Sequence, residues 1–163
     1  MLVLALGVPI ARRTKKLDVE AWVDQQIIGR RLKLYEEIGP KLNDLYCLTR
    51  FIGHFREVDP PKALKHKRDL DRTMHVNRPI YSDRLFAAYQ SFMDATFETY
   101  VGAGEDAKLR MDPKELKQEW REPWSSEWDR MFATASNDYR AIEAAYEVLV
   151  ASFSADLGTS RRD

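Results

Sequence analysis

From residue 17 to residue 157, apolar side chains return every three or four positions, and no stretch sustains the every-second-residue alternation of a half-buried strand. A chain patterned in this way buries its apolar stripes helix against helix. The cleanest stripe is Leu85, Phe86, Tyr89, Phe92, Met93, Phe97 and Tyr100, broken in charge only by Asp83, Arg84, Asp94 and Glu98. The helix that carries it is expected at the centre of the core. At 163 residues the chain has the size of one ordinary domain. Its single cysteine, Cys47, excludes a disulfide framework. Four Trp, seven Tyr and seven Phe supply more aromatic surface than a disordered chain carries.

The punctuation divides this pattern. Val19, Trp22, Val23, Ile27, Leu34 and Ile38 mark a first helix, and Gly39-Pro40 reads as its stop and as the start of a second. The second runs through Leu42, Leu45, Tyr46, Thr49, Ile52 and Phe55 and is closed by Asp59-Pro60-Pro61. A third, basic helix covers residues 61–75, followed by a turn at Asn77-Arg78-Pro79. Ser82 caps the fourth helix, which Gly102-Ala103-Gly104 ends. Asp112-Pro113 opens a short helix ahead of Trp120, Trp124, Trp128 and Phe132, which recur every four residues across Pro123. The last helix starts near residue 137 under a Ser136 cap and ends at Gly158. The expected fold is all-α, with five to six helices in a single irregular bundle and an N-terminal apolar stub. Residues 1–16 are set apart as a membrane-anchor remnant, 17–158 as the helical domain and 159–163 as a flexible tail.

The N-terminus is the strongest pointer to location. Residues 2–10 are an uncharged run that includes Leu2, Val3, Leu4, Leu6, Val8 and Ile10, and Arg12, Arg13, Lys15 and Lys16 follow at once. A secretory signal places its charges before the apolar stretch; the order here is that of the cytoplasmic end of a membrane span. Nine helical residues reach only about 13 Å, against a hydrocarbon core of about 30 Å. Three readings stand: the end of a span whose beginning lies upstream, a short interfacial anchor held by its basic flank, or a core segment that begins the chain. The first places the protein at the inner (cytoplasmic) membrane with the bulk of the chain in the cytoplasm.

Behind this run, Arg30-Arg-Leu-Lys-Leu-Tyr-Glu-Glu-Ile-Gly-Pro-Lys-Leu-Asn-Asp-Leu-Tyr-Cys47 resembles small uncharacterised bacterial proteins in which one N-terminal membrane span leads directly into a helical cytosolic domain. The likeness covers about the first two thirds of the chain. It implies architecture and location, and it carries no assigned activity.

Motifs for chemistry are sparse. No two of His54, His66 and His75 stand at the i, i+4 spacing of a zinc helix, and no Glu-x-x-His unit is present, so neither metal nor cofactor is expected. Cys47 lies among aromatic residues and reads as a buried thiol. With 26 basic residues against 26 acidic, the chain has no net charge to gather nucleic acid, and no specific nucleic-acid partner is expected. Arg68 and His75, separated by six residues, resemble the Arg-x4-6-His signature of the HEPN ribonucleases, which implies metal-independent RNA cleavage with His in proton transfer and Arg on the phosphorane charge. The plainer reading of the same segment is a solvated basic face or one lying against anionic lipid. The Trp120, Trp124, Trp128 and Phe132 series reads either as a cover on the core or as a patch for a protein partner. The expected function is a membrane-tethered, non-catalytic interaction or regulatory domain that meets an unknown protein or a second copy of itself; a HEPN-like ribonuclease is the alternative.

Overall fold

The structure is a computed structural model that describes residues 7–99, 102–136 and 138–159, with side chains from residue 19 onward. The fold is an all-α bundle with one very small sheet. Helix α1 spans Gly7–Arg50, α2 Pro60–Val76, α3 Asp83–Thr96, α4 Pro113–Glu119 and α5 Tyr139–Asp156. Strands β1 (Phe97–Glu98) and β2 (Lys108–Leu109) pair antiparallel, Phe97 opposite Leu109. Short 3-10 turns at Phe55–Glu57, Arg78–Ile80 and Ser126–Met131 link these elements.

Gly39-Pro40 does not stop the first helix. The chain runs through it as one helix of 44 residues, about 66 Å long, with Pro40 inside. Pro40 offers no N–H to the carbonyl four residues back, a local cost of about 3 kcal/mol. Leu34, Ile38, Leu42, Leu45 and Leu48, on both sides of it, are almost wholly buried on one stripe. A break at Pro40 would turn half of that stripe away from the core, and the burial outweighs the lost bond.

The helix ends instead at Arg50, ahead of the expected Phe55. Phe51 takes the left-handed conformation with φ 54°, Ile52 N–H donates to the Cys47 carbonyl at 3.2 Å, and Phe51 N–H donates to the Leu48 carbonyl at 3.4 Å. This is a Schellman termination with phenylalanine where glycine is usual. Gly53, also left-handed at φ 58°, completes the reversal. Asp59-Pro60-Pro61 opens α2, its carboxylate accepting the Lys62 N–H at 2.7 Å while the prolines occupy the first turn.

The α3 stripe is the centre of the core as its periodicity predicts. Leu85, Tyr89 and Phe92 are buried, and α3 lies along α5, where Phe92 meets the Tyr146 ring at 5.3 Å. Ser82 caps α3 by accepting the Leu85 N–H, and its own N–H donates to the Asp156 carboxylate at 2.9 Å, tying the start of α3 to the end of α5. The helix stops at Thr96, earlier than expected, and Phe97 passes into β1; the absence of strands expected from the sequence is corrected, among the described residues, to the two-residue β1–β2 ladder and an isolated bridge between Leu109 and Phe132. The cap of α5 is Asp138, which accepts the Arg140 N–H, rather than Ser136. Gly158 closes α5 at φ 71°, as expected.

Candidate functional site

The N-terminal stalk of α1 is left uncovered by the bundle. Beyond Leu34, toward the N-terminus, α1 has no layer of the bundle over its apolar face: Val19, Trp22, Val23 and Ile27 are exposed, Trp22 to 60%. The same stripe is sealed by the core from Leu34 onward. Arg31 fixes the point of departure. Its Nε donates to the Ile80 carbonyl at 2.7 Å and its Nη1 to the Asp156 carbonyl at 2.9 Å, so the stalk is bolted to both the α2–α3 connection and the end of α5. Just below that bolt, Trp22, Val23, Ile27, Arg30 and Ile80 line an apolar crevice of about 350 Å³.

Of the anchor residues expected from the sequence, Leu2, Val3, Leu4 and Leu6 lie outside the described residues. Val8, Ile10, Arg12, Arg13, Lys15 and Lys16 belong to α1, which carries the apolar-to-basic order into the stalk without a helix break. Among the described residues, no helix is long and apolar enough to cross a membrane.

Arg68 and His75 share α2 and take different partners. Arg68 forms an exposed ion pair with Asp106 in the segment before β2. His75 is exposed and meets the edge of the Phe86 ring at 5.2 Å. It stands at the rim of a cleft of about 370 Å³ that Lys67, Asp71, Tyr89 and Asp94 also line. On the floor of the cleft, Asp71 accepts from Lys67 at 2.5 Å and from the Tyr89 hydroxyl at 2.5 Å. Burial and the Asp71 carboxylate push the Tyr89 phenol far above its ordinary value, so it stays protonated and donates to Asp71. Two carboxylates against one ammonium disfavour a phosphate in this cleft.

The tryptophans form a satellite of the core. Trp120, Trp124 and Trp128 are half-buried, their rings meeting edge to face at 5.2 to 6.5 Å, and Phe132 is buried beneath Trp124. Trp124 Nε1 donates to Asp129 at 2.9 Å. The residues recur every four positions, with Pro123 expected to prevent one unbroken helix. They sit at α4's exit (Trp120), on the connection after Pro123 (Trp124), in the 3-10 turn (Trp128) and just past it (Phe132), and hydrophobic collapse gathers them.

One polar centre was not visible in the sequence. Asp44 on α1 accepts from His54 Nε2 at 2.6 Å and from His66 Nε2 at 2.9 Å, with Lys62 Nζ 3.8 Å away. It binds α1, the reversal after it and α2 at one point. Burial alone would raise the Asp44 pKa, and the two imidazole hydrogen bonds, helped by the His66 and Lys62 charges, bring it below the ordinary value of 3.8. Cys47, one turn on, is buried; desolvation and the Asp44 charge push its thiol up, which keeps it protonated and unreactive. Among the described residues, no group of His, Cys, Asp and Glu is placed to hold a metal ion.

A carboxylate whose folded pKa is depressed stabilises the fold above its unfolded pKa and loses that contribution as pH falls through the folded one. Asp44→Asn is therefore expected to cost about 1–3 kcal/mol at pH 7. In urea titrations the gap to the parent should narrow as pH falls from 6 to 3. A gap that stays constant would show that the carboxylate charge is not what the two histidines hold.

No family model, no curated protein and no solved structure matches this chain.

Proposed function

We propose that this chain is a membrane-tethered helical domain that works through protein contacts, with α1 as the rod between bilayer and bundle. The observation that carries the reading is the continuity of α1, which runs from the apolar segment through four basic residues and is still the same helix where Leu34 enters the core. A rod from Lys16 to Arg31 spans about 22 Å and holds the bundle clear of the headgroups. The basic residues mark the cytoplasmic side, where Lys and Arg are retained and anionic lipid attracts them. The balanced charge of the chain adds no general attraction to nucleic acid, and the Asp44 and Asp71 carboxylates each accept two hydrogen bonds from side chains of the bundle, as structural ties do. The ribonuclease alternative is the weaker reading, because Arg68 is taken by Asp106 and the cleft beside His75 is acidic on balance.

The test is fractionation of cells that express the natural gene. The product is expected in the membrane pellet after carbonate extraction, with the bundle protected from protease added outside the cytoplasmic membrane. Recovery of the natural product in the soluble fraction would overturn the tether.

A further inference from the structure

We infer that a groove along α1 binds an amphiphile with one alkyl chain and a singly charged carboxylate head, a fatty acid in class. Two cavities lie in series on one stripe of α1, and Arg30 walls both. Val23, Ile27, Arg30, Leu34, Glu37 and Lys41 follow one another at intervals of four and three residues, so they share one face of the helix. Toward the N-terminus, Trp22, Val23, Ile27 and Ile80 wall the apolar crevice of about 350 Å³. Toward the bundle, between α1 and α2, a cleft of about 420 Å³ is charged: Arg30, Lys41 and Arg72 stand against Glu37 and Asp69. Each volume falls within the roughly 300–1,000 Å³ of small-molecule sites. The inference goes beyond the tether reading and does not depend on it.

The charges of the cleft select the head. Lys41 and Asp69 pair loosely at 3.9 Å, and Glu37 accepts from the Thr73 hydroxyl at 3.3 Å. Among the described residues, Arg30 and Arg72 have neither a hydrogen bond nor an ion pair. Three cations against two carboxylates leave one positive charge, which one carboxylate neutralises. A phosphate monoester, at about −1.5 to −2, overshoots it. The guanidinium fork also matches the two oxygens of a carboxylate. Tyr81 adds a donor: its hydroxyl is buried and has no hydrogen-bond partner among the described residues. Burial and the Glu37 and Asp156 charges, against that of Arg30, push this phenol up to about 12, so it keeps its proton. Glu37 and Arg30 line the cleft, which puts the unpaired donor at the cleft's Arg30 end. A head held there sets the first carbons of its chain at the mouth of the crevice. The stretch of α1 from Arg30 back to Trp22 is about 12 Å, the length of an extended chain of about ten carbons. Ile80, the opposite wall, is fixed by the Arg31 hydrogen bond to its carbonyl.

Titration of the full chain with 10-bromodecanoate tests this, in phosphatidylcholine nanodiscs where the chain proves membrane-bound. The terminal bromine quenches a tryptophan that it touches, so saturable quenching is expected in the parent and none in Trp22→Phe. The double variant Arg30→Gln, Arg72→Gln should raise the half-quenching concentration about tenfold or more, the effect of losing charged hydrogen bonds. Ile27→Ala should raise it about fivefold by removing a wall of the crevice. Ile28 is as exposed as Ile27, 41% against 39%, and lies outside both cavities, so Ile28→Ala should leave it unchanged. Circular dichroism checks that each variant keeps its bundle. Equal losses at residues 27 and 28 would mean adsorption to any exposed apolar side chain and overturn the proposal. Absence of saturable quenching, quenching that persists in Trp22→Phe, or an unchanged half-quenching concentration in the arginine variant overturns it too. Competition identifies the head. Decanoate should displace the probe and decyltrimethylammonium should not; equal displacement by the two overturns the proposal. Displacement by decyl phosphate at a tenfold lower concentration than decanoate overturns the carboxylate assignment in favour of a phosphate head.

Discussion

Phe92→Ala is expected to lower the free energy of unfolding by about 3–5 kcal/mol, a large part of what a domain of this size possesses. Phe92 has no exposed surface, lies on the α3 face that meets α5, and touches the Tyr146 ring at 5.3 Å. Tyr146 is itself stacked on Tyr46 of α1 at 4.1 Å, so the ring at residue 92 sits where three helices converge. Truncation leaves a cavity that these three elements cannot close without shifting against one another. Urea denaturation monitored by circular dichroism reads the loss as a lower midpoint at unchanged slope. The exposed Lys65 is the control: Lys65→Ala should change stability by less than about 0.5 kcal/mol. A native-like midpoint for Phe92→Ala would place the core elsewhere.

Phe92 also shows what was legible in the sequence. A stripe recurring at 3.6 residues with few charges is the direct signature of a buried helix, and α3 and α5 follow from it. Helix ends are harder, because several local signals compete with burial. Gly39-Pro40 is the strongest stop in the first half of the chain by local chemistry, yet the almost wholly buried Ile38 and Leu42 flank it and the helix continues. Arg50-Phe51 carries no glycine, yet the helix stops there, because the left-handed turn at Phe51 is compensated by its edge-on contact with Phe55 at 5.6 Å. Phe97 keeps the α3 period and still leaves the helix, since pairing opposite Leu109 buries it completely.

The candidate surface was legible only in part. Val19, Trp22, Val23 and Ile27 share one period with Leu34 and Ile38, and periodicity says which face is apolar without saying how far along the helix the rest of the protein extends. Only the fold shows that the cover ends near Arg31. Asp44, His54 and His66 could not be grouped by spacing at all. They meet because the reversal at Phe51 and Gly53 folds the chain back over α1, and metal-type spacings within a single helix give no sign of it.

The second large effect is expected at Asp71. Its carboxylate is the partner of Lys67, whose side chain is 10% exposed, and the acceptor for the buried Tyr89 hydroxyl. Asp71→Ala leaves an ammonium and a phenol unpaired in one place, and the expected cost is about 3 kcal/mol. The size is held at the lower end for a broken buried pair because Asp71 itself keeps a third of its side chain in water. Most of that cost is the exposure of an error, not the loss of a favourable bond, and this can be separated. Asp71→Asn retains an acceptor for Tyr89 while removing the countercharge, so it should cost less than the alanine variant. The triple variant Lys67→Met, Asp71→Leu, Tyr89→Phe removes every orphaned group at once and is expected to recover most of the stability that Asp71→Ala loses. Denaturant titrations of the three proteins decide it. A triple variant less stable than Asp71→Ala would mean that the network contributes net stability to the bundle, beyond merely avoiding unpaired groups beneath the cleft.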